Sequence, residues 1–300
     1  MSGPLDLDAL GRLTSWDGVR AVVIGIGVSG FAAADNLTHL GARVTVLADA
    51  ANDAQREKAT LLEMLGAEVR IGAGATRDLP EAVDLVVTSP GVPPSSPLIV
   101  AAAARGVPVW GEVELAWRLR DREHPGSWLA VTGTNGKTTT VQMLDTILRA
   151  GSVSSIACGN VGLPLVEAVM DPEPYDVYAV ELSSFQLHYT SSMSAMSAAV
   201  LNVAEDHLDW YSSLADYAAD KGRIYERVRS ACVYNVADPV TEQLVRDGLR
   251  SFTPDGHRIA DLGEVASVRY VDDSKATNPH AATSSLQAYD PVVWVAGGLA

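Results

Sequence analysis

The stretch Trp128-Leu129-Ala130-Val131-Thr132-Gly133-Thr134-Asn135-Gly136-Lys137-Thr138-Thr139-Thr140 sets the fold. An apolar strand ending runs into a glycine-spaced turn, then a lysine, three threonines and a helix-patterned segment from Val141 to Leu148. A strand, a turn that aims backbone N–H groups inward and a helix start make a cradle for polyphosphate. Gly133 and Gly136 allow the turn, Lys137 supplies a point charge for β- and γ-phosphates, and the Thr138 hydroxyl suits Mg²⁺. General P-loop spacing calls for another glycine five residues before Gly136, where Val131 stands, so this is a variant loop. The plainer alternative is a tight strand-to-helix turn with a solvated lysine.

Outward from the loop, the chain alternates strands and helices, the pattern of parallel α/β sheets. Upstream, Arg20 to Ile24 feeds Gly25-Ile26-Gly27-Val28-Ser29-Gly30, an Ala-rich helix follows to Gly41, and Arg43 to Leu47 completes a βαβ unit. GxGxxG in that setting predicts a Rossmann-like domain. Its ligand stays open. The acid expected after the second strand for a ribose is present only as Asp49, beside Ala48, so a structural turn, a nucleotide-diphosphate site and a dinucleotide site all remain. Ser89-Pro90-Gly91-Val92-Pro93-Pro94 follows the strand Asp84 to Thr88, where open sheets place ligands, and reads equally as a proline-stiffened loop. The polar run 121–127, with Pro125-Gly126, is the best boundary of the first half.

Downstream of the loop, Gly159-Asn160-Val161-Gly162 follows the strand Ser155 to Cys158. The strand Val177 to Val180 delivers Glu181-Leu182-Ser183-Ser184-Phe185-Gln186-Leu187 at its carboxyl end. A carboxylate there is placed as an NTPase metal ligand, though a surface acid in a loop is the alternative. The strand Ala198 to Val203 ends in Glu205, Asp206, His207 and Asp209, either a polar site cluster or a solvated loop. Lys221 lies on a predicted helix, Leu214 to Arg227, and residue physics alone assigns it no role. A helix is expected from Pro239 to Val245 and a loop from Asp247 to Gly256. A strand from Val268 to Val271 then leads to Asp272-Asp273-Ser274-Lys275-Ala276-Thr277-Asn278-Pro279-His280, a helix from Ala281 to Gln287 and a strand from Val292 to Ala296. An ending just past a buried strand is expected of a fragment.

Composition excludes several function classes. The 300 residues carry 22 Lys+Arg against 37 Asp+Glu, a formal charge of −15. No basic face for nucleic acid or anionic membrane is expected, so local lysines and backbone amides must hold any phosphate. Cys158 and Cys232 are too few for a disulfide framework and lack metal-ligand spacing, which points to a reducing cytoplasm and to two buried small side chains. The N-terminus has no signal-peptide pattern and no apolar run reaches the length of a membrane span.

Read together, TGTNGKTTT at 132–140, GNVG at 159–162, ELSSFQL at 181–187, NVAEDHLDWY at 202–211, AADKGRIYE at 218–226 and VDDSKATNPHA at 271–281 resemble the Mur ligases. The likeness extends over the SPGV loop and the GEVEL run at 111–115; ELSSFQL with DDSKATN resembles the branch that adds D-glutamate. The resemblance implies an α/β enzyme of three domains. These are a Rossmann-like UDP-substrate domain over 1–125, a shortened P-loop ATP domain over 126–247 and a partial Rossmann-like domain over 248–300. It implies a cytoplasmic, monomeric ligase of peptidoglycan synthesis. ATP would phosphorylate the carboxylate of UDP-N-acetylmuramoyl-L-alanine, and the amine of D-glutamate would attack the acyl phosphate.

By motif position, the resemblance assigns ATP to Gly133, Thr134, Asn135, Gly136, Lys137, Thr138 and Thr139, with Arg258, Asp273 and Lys275 closing from the last domain. Two Mg²⁺ sites are implied, one through Thr138 and Glu181, the second through His207 and a carbamylated Lys221. Lys137, His207 and Lys221 are the implied catalytic residues. The UDP substrate is assigned to Gly27, Val28, Ser29, Asp49, Gly91, Asn160, Ser183 and His207, and D-glutamate to the neighbourhood of Thr277. Between Asn235 and Arg258 the chain is far shorter than the family pattern, so weak or absent ligation is expected of it. A non-catalytic nucleotide-sugar-binding remnant, a sibling ligase for another amino acid and a nicotinamide oxidoreductase are the competing readings.

Overall fold

Short β-branched runs form the strands of this protein, the central ones buried and those at the sheet edges part-exposed, and Ala-rich or amphipathic segments between them return the chain as helices. The computed structural model describes residues 6–207, 210–250, 260–265 and 268–272. By compactness the chain divides into Met1–Arg250 and Ser251–Ala300.

The first unit holds two five-stranded sheets, each parallel throughout. The first is built from β1 (Arg20–Ile24), β2 (Arg43–Ala48), β3 (Glu68–Ile71), β4 (Leu85–Thr88) and β5 (Val109–Gly111), in the order β3-β2-β1-β4-β5. Helices α1 (Val28–His39), α2 (Asp53–Met64), α3 (Pro97–Ala104) and α4 (Glu112–Leu119) intervene. Strand order reverses between β1 and β4, which opens a crevice beyond their carboxyl ends. Gly25 has φ +90, and a Cβ on Gly30 would stand 2.1 Å from the Gly25 carbonyl oxygen. The glycines therefore let α1 press against the end of β1.

The second sheet uses β6 (Ser127–Thr132), β7 (Ser155–Gly159), β8 (Val177–Glu181), β9 (Ser197–Val200) and β10 (Ala231–Tyr234), in the order β10-β9-β6-β8-β7. Its helices are α5 (Lys137–Ala150), α6 (Leu165–Met170), α7 (Ser184–His188), α8 (Leu214–Gly222) and α9 (Pro239–Arg250). Trp128, Ala130, Tyr178 and Val180 face a large core shared with the first sheet, whereas Val131 and Ala179 pack with Val141 of α5 on the other side. The near-continuous apolar runs fit strands covered on both faces. In the second unit, β11 (Ala260–Val265) and β12 (Val268–Asp272) pair antiparallel.

Four local expectations need correction. Residues 247–250 are helical, as α9 continues to Arg250 where a loop is expected. Helix α8 stops at Gly222 and tightens into a 3₁₀ turn over Arg223–Tyr225, shorter than the predicted 214–227. ELSSFQL is not all strand end and loop: Ser183 caps α7 by accepting from the Gln186 N–H, and the Gln186 side chain accepts from the Ser183 N–H. This local capping box competes with extended structure. The predicted 268–271 strand extends to Asp272 and pairs with β11, over residues where no strand is predicted. The expected helix 281–287 and strand 292–296 lie outside the described residues.

Candidate active site

The loop between β6 and α5 is the centre of the site. Gly136 is the N-cap of α5 with φ +84, a left-handed conformation that glycine adopts without strain, and the helix starts at Lys137. Val131, where the general P-loop pattern wants glycine, is still inside β6. It pairs with Glu181 on one side and Ala199 on the other and is buried against Val141 and Ala179. A valine fits there because the turn starts two residues later.

Neighbouring strands supply the walls. At the end of β8 the buried Glu181 carboxylate accepts from Thr138 Oγ1 at 2.7 Å and from Asn160 Nδ2 at 2.9 Å. Register explains the meeting, as Glu181 pairs with Val131 of β6 and with Gly159 of β7, so both following loops arrive beside it. On the β9 side, Asn202 Oδ1 accepts from Asn135 N at 2.9 Å and Asn202 Nδ2 donates to Asn135 O at 3.0 Å. Thr134 Oγ1 accepts from Ala204 N at 3.0 Å. The loop is clasped from both flanks.

Two lysines converge on it. Lys137 Nζ donates to Gly133 O at 2.9 Å and Thr134 O at 3.0 Å, and Lys221 Nζ donates to the same Gly133 O at 3.0 Å. Lys221 is 1% exposed, and its Nζ lies 4.4 Å from the centre of the Tyr217 ring. Burial, reinforced by the Lys137 charge and opposed by Asp206, pushes its pKa down to about 7. An amine in that state is part neutral and nucleophilic at neutral pH. His207, at φ +55, is half-exposed; its ring lies 4.7 Å from Phe185 and 6.1 Å from Tyr217, so Tyr217 neighbours both His207 and Lys221.

Thr138 and Glu181 are hard oxygen donors within hydrogen-bond distance of each other, a donor set that fits Mg²⁺. Among the described residues no group of three or more His, Cys, Asp or Glu could hold a metal ion. An ion at Thr138 and Glu181 would therefore complete its shell with phosphate and water, as Mg²⁺ commonly does.

The crevice of the first sheet is a cleft of about 410 Å³ whose walls include Gly25, Gly27, Asp49, Ser89, Gly91 and Val92. Asp49 follows the end of β2 and accepts from Thr76 Oγ1 at 2.6 Å and Thr76 N at 3.1 Å; the Thr76 hydroxyl bond is the main reason its pKa is lowered. Val28 and Ser29 sit in the first turn of α1 and are not among the lining residues; Val28 is 61% exposed.

Of the sequence-predicted residues, the structure groups Gly133, Thr134, Gly136, Lys137, Thr138, Glu181, Asn160 and Lys221 at one sheet edge, and Gly27, Asp49 and Gly91 in the cleft. Asn135 is bonded to Asn202, and Thr139 is exposed in the first turn of α5. Asn160, read as a substrate contact, bonds the Glu181 carboxylate, and Ser183, read likewise, caps α7. Arg258, Asp273, Lys275 and Thr277 lie outside the described residues. Sequence reasoning did not single out Asn202, Thr76 or Tyr217. Asn202 and Tyr217 bond or face the loop from sixty or more positions away, and no local spacing marks such a partner.

Comparison with known proteins agrees with this layout. A family model described as the Mur ligase middle domain matches residues 131–275, and one described as Mur ligase MurD-like, N-terminal domain matches residues 19–111. The UDP-N-acetylmuramoylalanine--D-glutamate ligase of Streptomyces avermitilis is 47% identical, over 96% of this chain and 78% of that protein. Its namesake in Thermobifida fusca is 40% identical, over 94% of this chain and 77% of that protein. The aligned span with the Streptomyces protein is 371 positions against the 300 residues here, so that relative carries segments without a counterpart in this chain. The solved UDP-N-acetylmuramate:L-alanyl-gamma-D-glutamyl-meso-diaminopimelate ligase from Neisseria meningitides is alike in fold. It is 21% identical, has a TM-score of 0.50 and covers 77% of this chain and 75% of that one. With both sheets matched by family models and relatives aligned over nearly its whole length, the chain belongs to the Mur ligase family.

Proposed function

We propose that this protein is an ATP-dependent ligase that joins D-glutamate to UDP-N-acetylmuramoyl-L-alanine, a cytoplasmic step of peptidoglycan synthesis. The observation that carries the reading is the convergence of Lys137, Lys221, Thr138 and Glu181 on one P-loop. That convergence supports phosphoryl transfer to an acceptor bound at the same sheet edge. The names of the relatives support the choice of substrates.

A carboxylate does not release oxide to an amine, so the oxygen must first become part of a better leaving group. The substrate carboxylate attacks the γ-phosphorus and ADP leaves. The amine of D-glutamate then attacks the acyl carbon, inorganic phosphate departs with the oxygen, and the amine loses a proton. Backbone N–H groups at the start of α5 and the Lys137 ammonium would hold the β- and γ-phosphates and balance charge on the transferring group. Thr138 and Glu181 would hold Mg²⁺, which supplies further charge neutralisation when bound. The depressed pKa of Lys221 supports its carbamylation, since only the neutral amine attacks CO₂; the product carries a carboxylate able, with His207, to serve a second Mg²⁺. Arg258, Asp273, Lys275 and Thr277 complete the proposal on the ATP and amino-acid side.

A second reading, a UDP-sugar-binding protein that ligates poorly or not at all, is favoured by the segments the Streptomyces relative carries and this chain lacks. Phosphate release from ATP separates the two. Release that requires both UDP-N-acetylmuramoyl-L-alanine and D-glutamate supports the ligase. Binding of the UDP substrate without such release supports the second reading, and full activity comparable with an intact relative would overturn it. Replacing D-glutamate with other amino acids tests the specificity.

A further inference from the structure

The segment after α7 joins the two sheets through one side chain that the reaction scheme does not use. The Tyr189 carbonyl accepts from Gly111 N, at the end of β5, at 2.9 Å. Its hydroxyl donates to Val92 O at 2.8 Å. Val92 lines the cleft of the first sheet, and its own N–H donates to Ser89 O, closing the turn that carries Gly91. Tyr189 is 8% exposed, and a Cβ on Gly111 would stand 3.1 Å from the Tyr189 Cβ, so the two backbones are in close contact. On its other side, the Tyr189 ring meets His188 edge-on at 4.8 Å, and His188 Nδ1 lies 2.7 Å from Oδ2 of Asp220, the residue before Lys221. Phenylalanine would fill the same apolar volume but would leave the Val92 carbonyl without this donor, so packing alone does not call for the hydroxyl.

We propose that Tyr189 is a positioning residue for the cleft of the first sheet, holding the Ser89–Val92 turn from the second sheet so that the bound uridine nucleotide is kept in register with the P-loop. The inference rests on the reading of that cleft as the UDP subsite. At its first residue the turn is held by β1, where Ser89 N donates to Ile24 O at 3.0 Å, and at its last its Val92 carbonyl is the point at which the second sheet grips it. Substrate bound in the cleft is thereby referenced to the element that also packs against Asp220 and the Lys221 helix.

Calorimetric titration of wild type and Tyr189→Phe, with UDP-N-acetylmuramoyl-L-alanine and separately with Mg·ADP, tests this. The expected result is a Kd for the UDP substrate about 3- to 10-fold weaker in the variant, the size of one net hydrogen bond. ADP affinity should stay within about twofold, and Tm should fall by no more than about 2–5 °C, the cost of that one bond. Equal UDP-substrate affinity in the two proteins overturns the inference. So does a parallel loss for both ligands with a large fall in Tm, which is the signature of a merely structural contact. Failure of the wild type to bind the UDP substrate overturns instead the reading of the cleft on which the inference rests.

Discussion

Lys137 and Lys221, eighty-four positions apart in the chain, donate to one acceptor, the Gly133 carbonyl oxygen, at 2.9 and 3.0 Å. Burial, and after it the neighbouring Lys137 charge, loosens the proton of Lys221. The pair brings two amines to one side of the phosphate cradle.

That loosening has a thermodynamic signature. The Lys221 pKa falls from 10.5 to about 7 on folding, so the folded state binds this proton less tightly than the unfolded chain. The lysine therefore costs stability most fully below pH 7, and the cost is relieved as pH rises from 7 towards 10.5. Denaturant titrations should show Lys221→Met more stable than wild type at pH 6, with the difference shrinking by pH 9. A pH-independent difference would refute the assignment.

Glu181→Gln keeps an acceptor for Asn160 Nδ2 and can turn its N–H₂ toward Thr138 Oγ1, whose hydroxyl can accept, so both contacts can be kept while the negative charge is removed. The stability change should therefore stay within about 1 kcal/mol. The Mg²⁺-dependent part of ADP affinity should fall about tenfold or more, while binding of the UDP substrate is retained. Magnesium titrations with ADP present measure this directly.

Glu112, buried at the start of α4, accepts from Val166 N at 2.6 Å through Oε1, and its Oε2 has no hydrogen-bond partner. Burial, helped by the nearby Glu167 charge, pushes its pKa from 4.5 up to about 7. The folded state holds this proton more tightly, so its stabilising contribution is full below pH 4.5 and is lost as pH climbs to 7. Glu112→Gln should match wild type near pH 5 and exceed it at pH 8 by up to about 3 kcal/mol. Parallel stability curves across that range would show the carboxyl is ionised throughout.

Gly30→Ala puts a methyl carbon 2.1 Å from the Gly25 carbonyl oxygen, a backbone atom that cannot swing aside. Moving α1 away from β1 should cost about 3 kcal/mol, or roughly 5–10 °C in Tm, and weaken UDP-substrate binding. Gly27→Ala is the control: a Cβ there meets nothing within 4 Å, so the fold should hold while the cleft is narrowed.

Local pattern was enough for the architecture of the first 250 residues. Short apolar runs, glycine-spaced turns and helix-length segments depend on near neighbours, and β1, β2, β4 and β6 to β9 arise where the sequence reads as runs of that kind. The phosphate-binding character of 132–140 was equally local, because backbone turn, lysine and hydroxyl lie within nine residues. Motif order carried the family. Tertiary structure alone decided which distant groups meet. Strand register set Glu181 against Val131 and Gly159 and so joined Thr138 to Asn160; the packing of α8 brought Lys221 onto Gly133; and the close approach of the segment after α7 to β5 let Tyr189 reach Val92. Lys221 is the sharpest case, since a lysine on a helix is solvated by default and only burial beside a second cation lowers the pKa of this one.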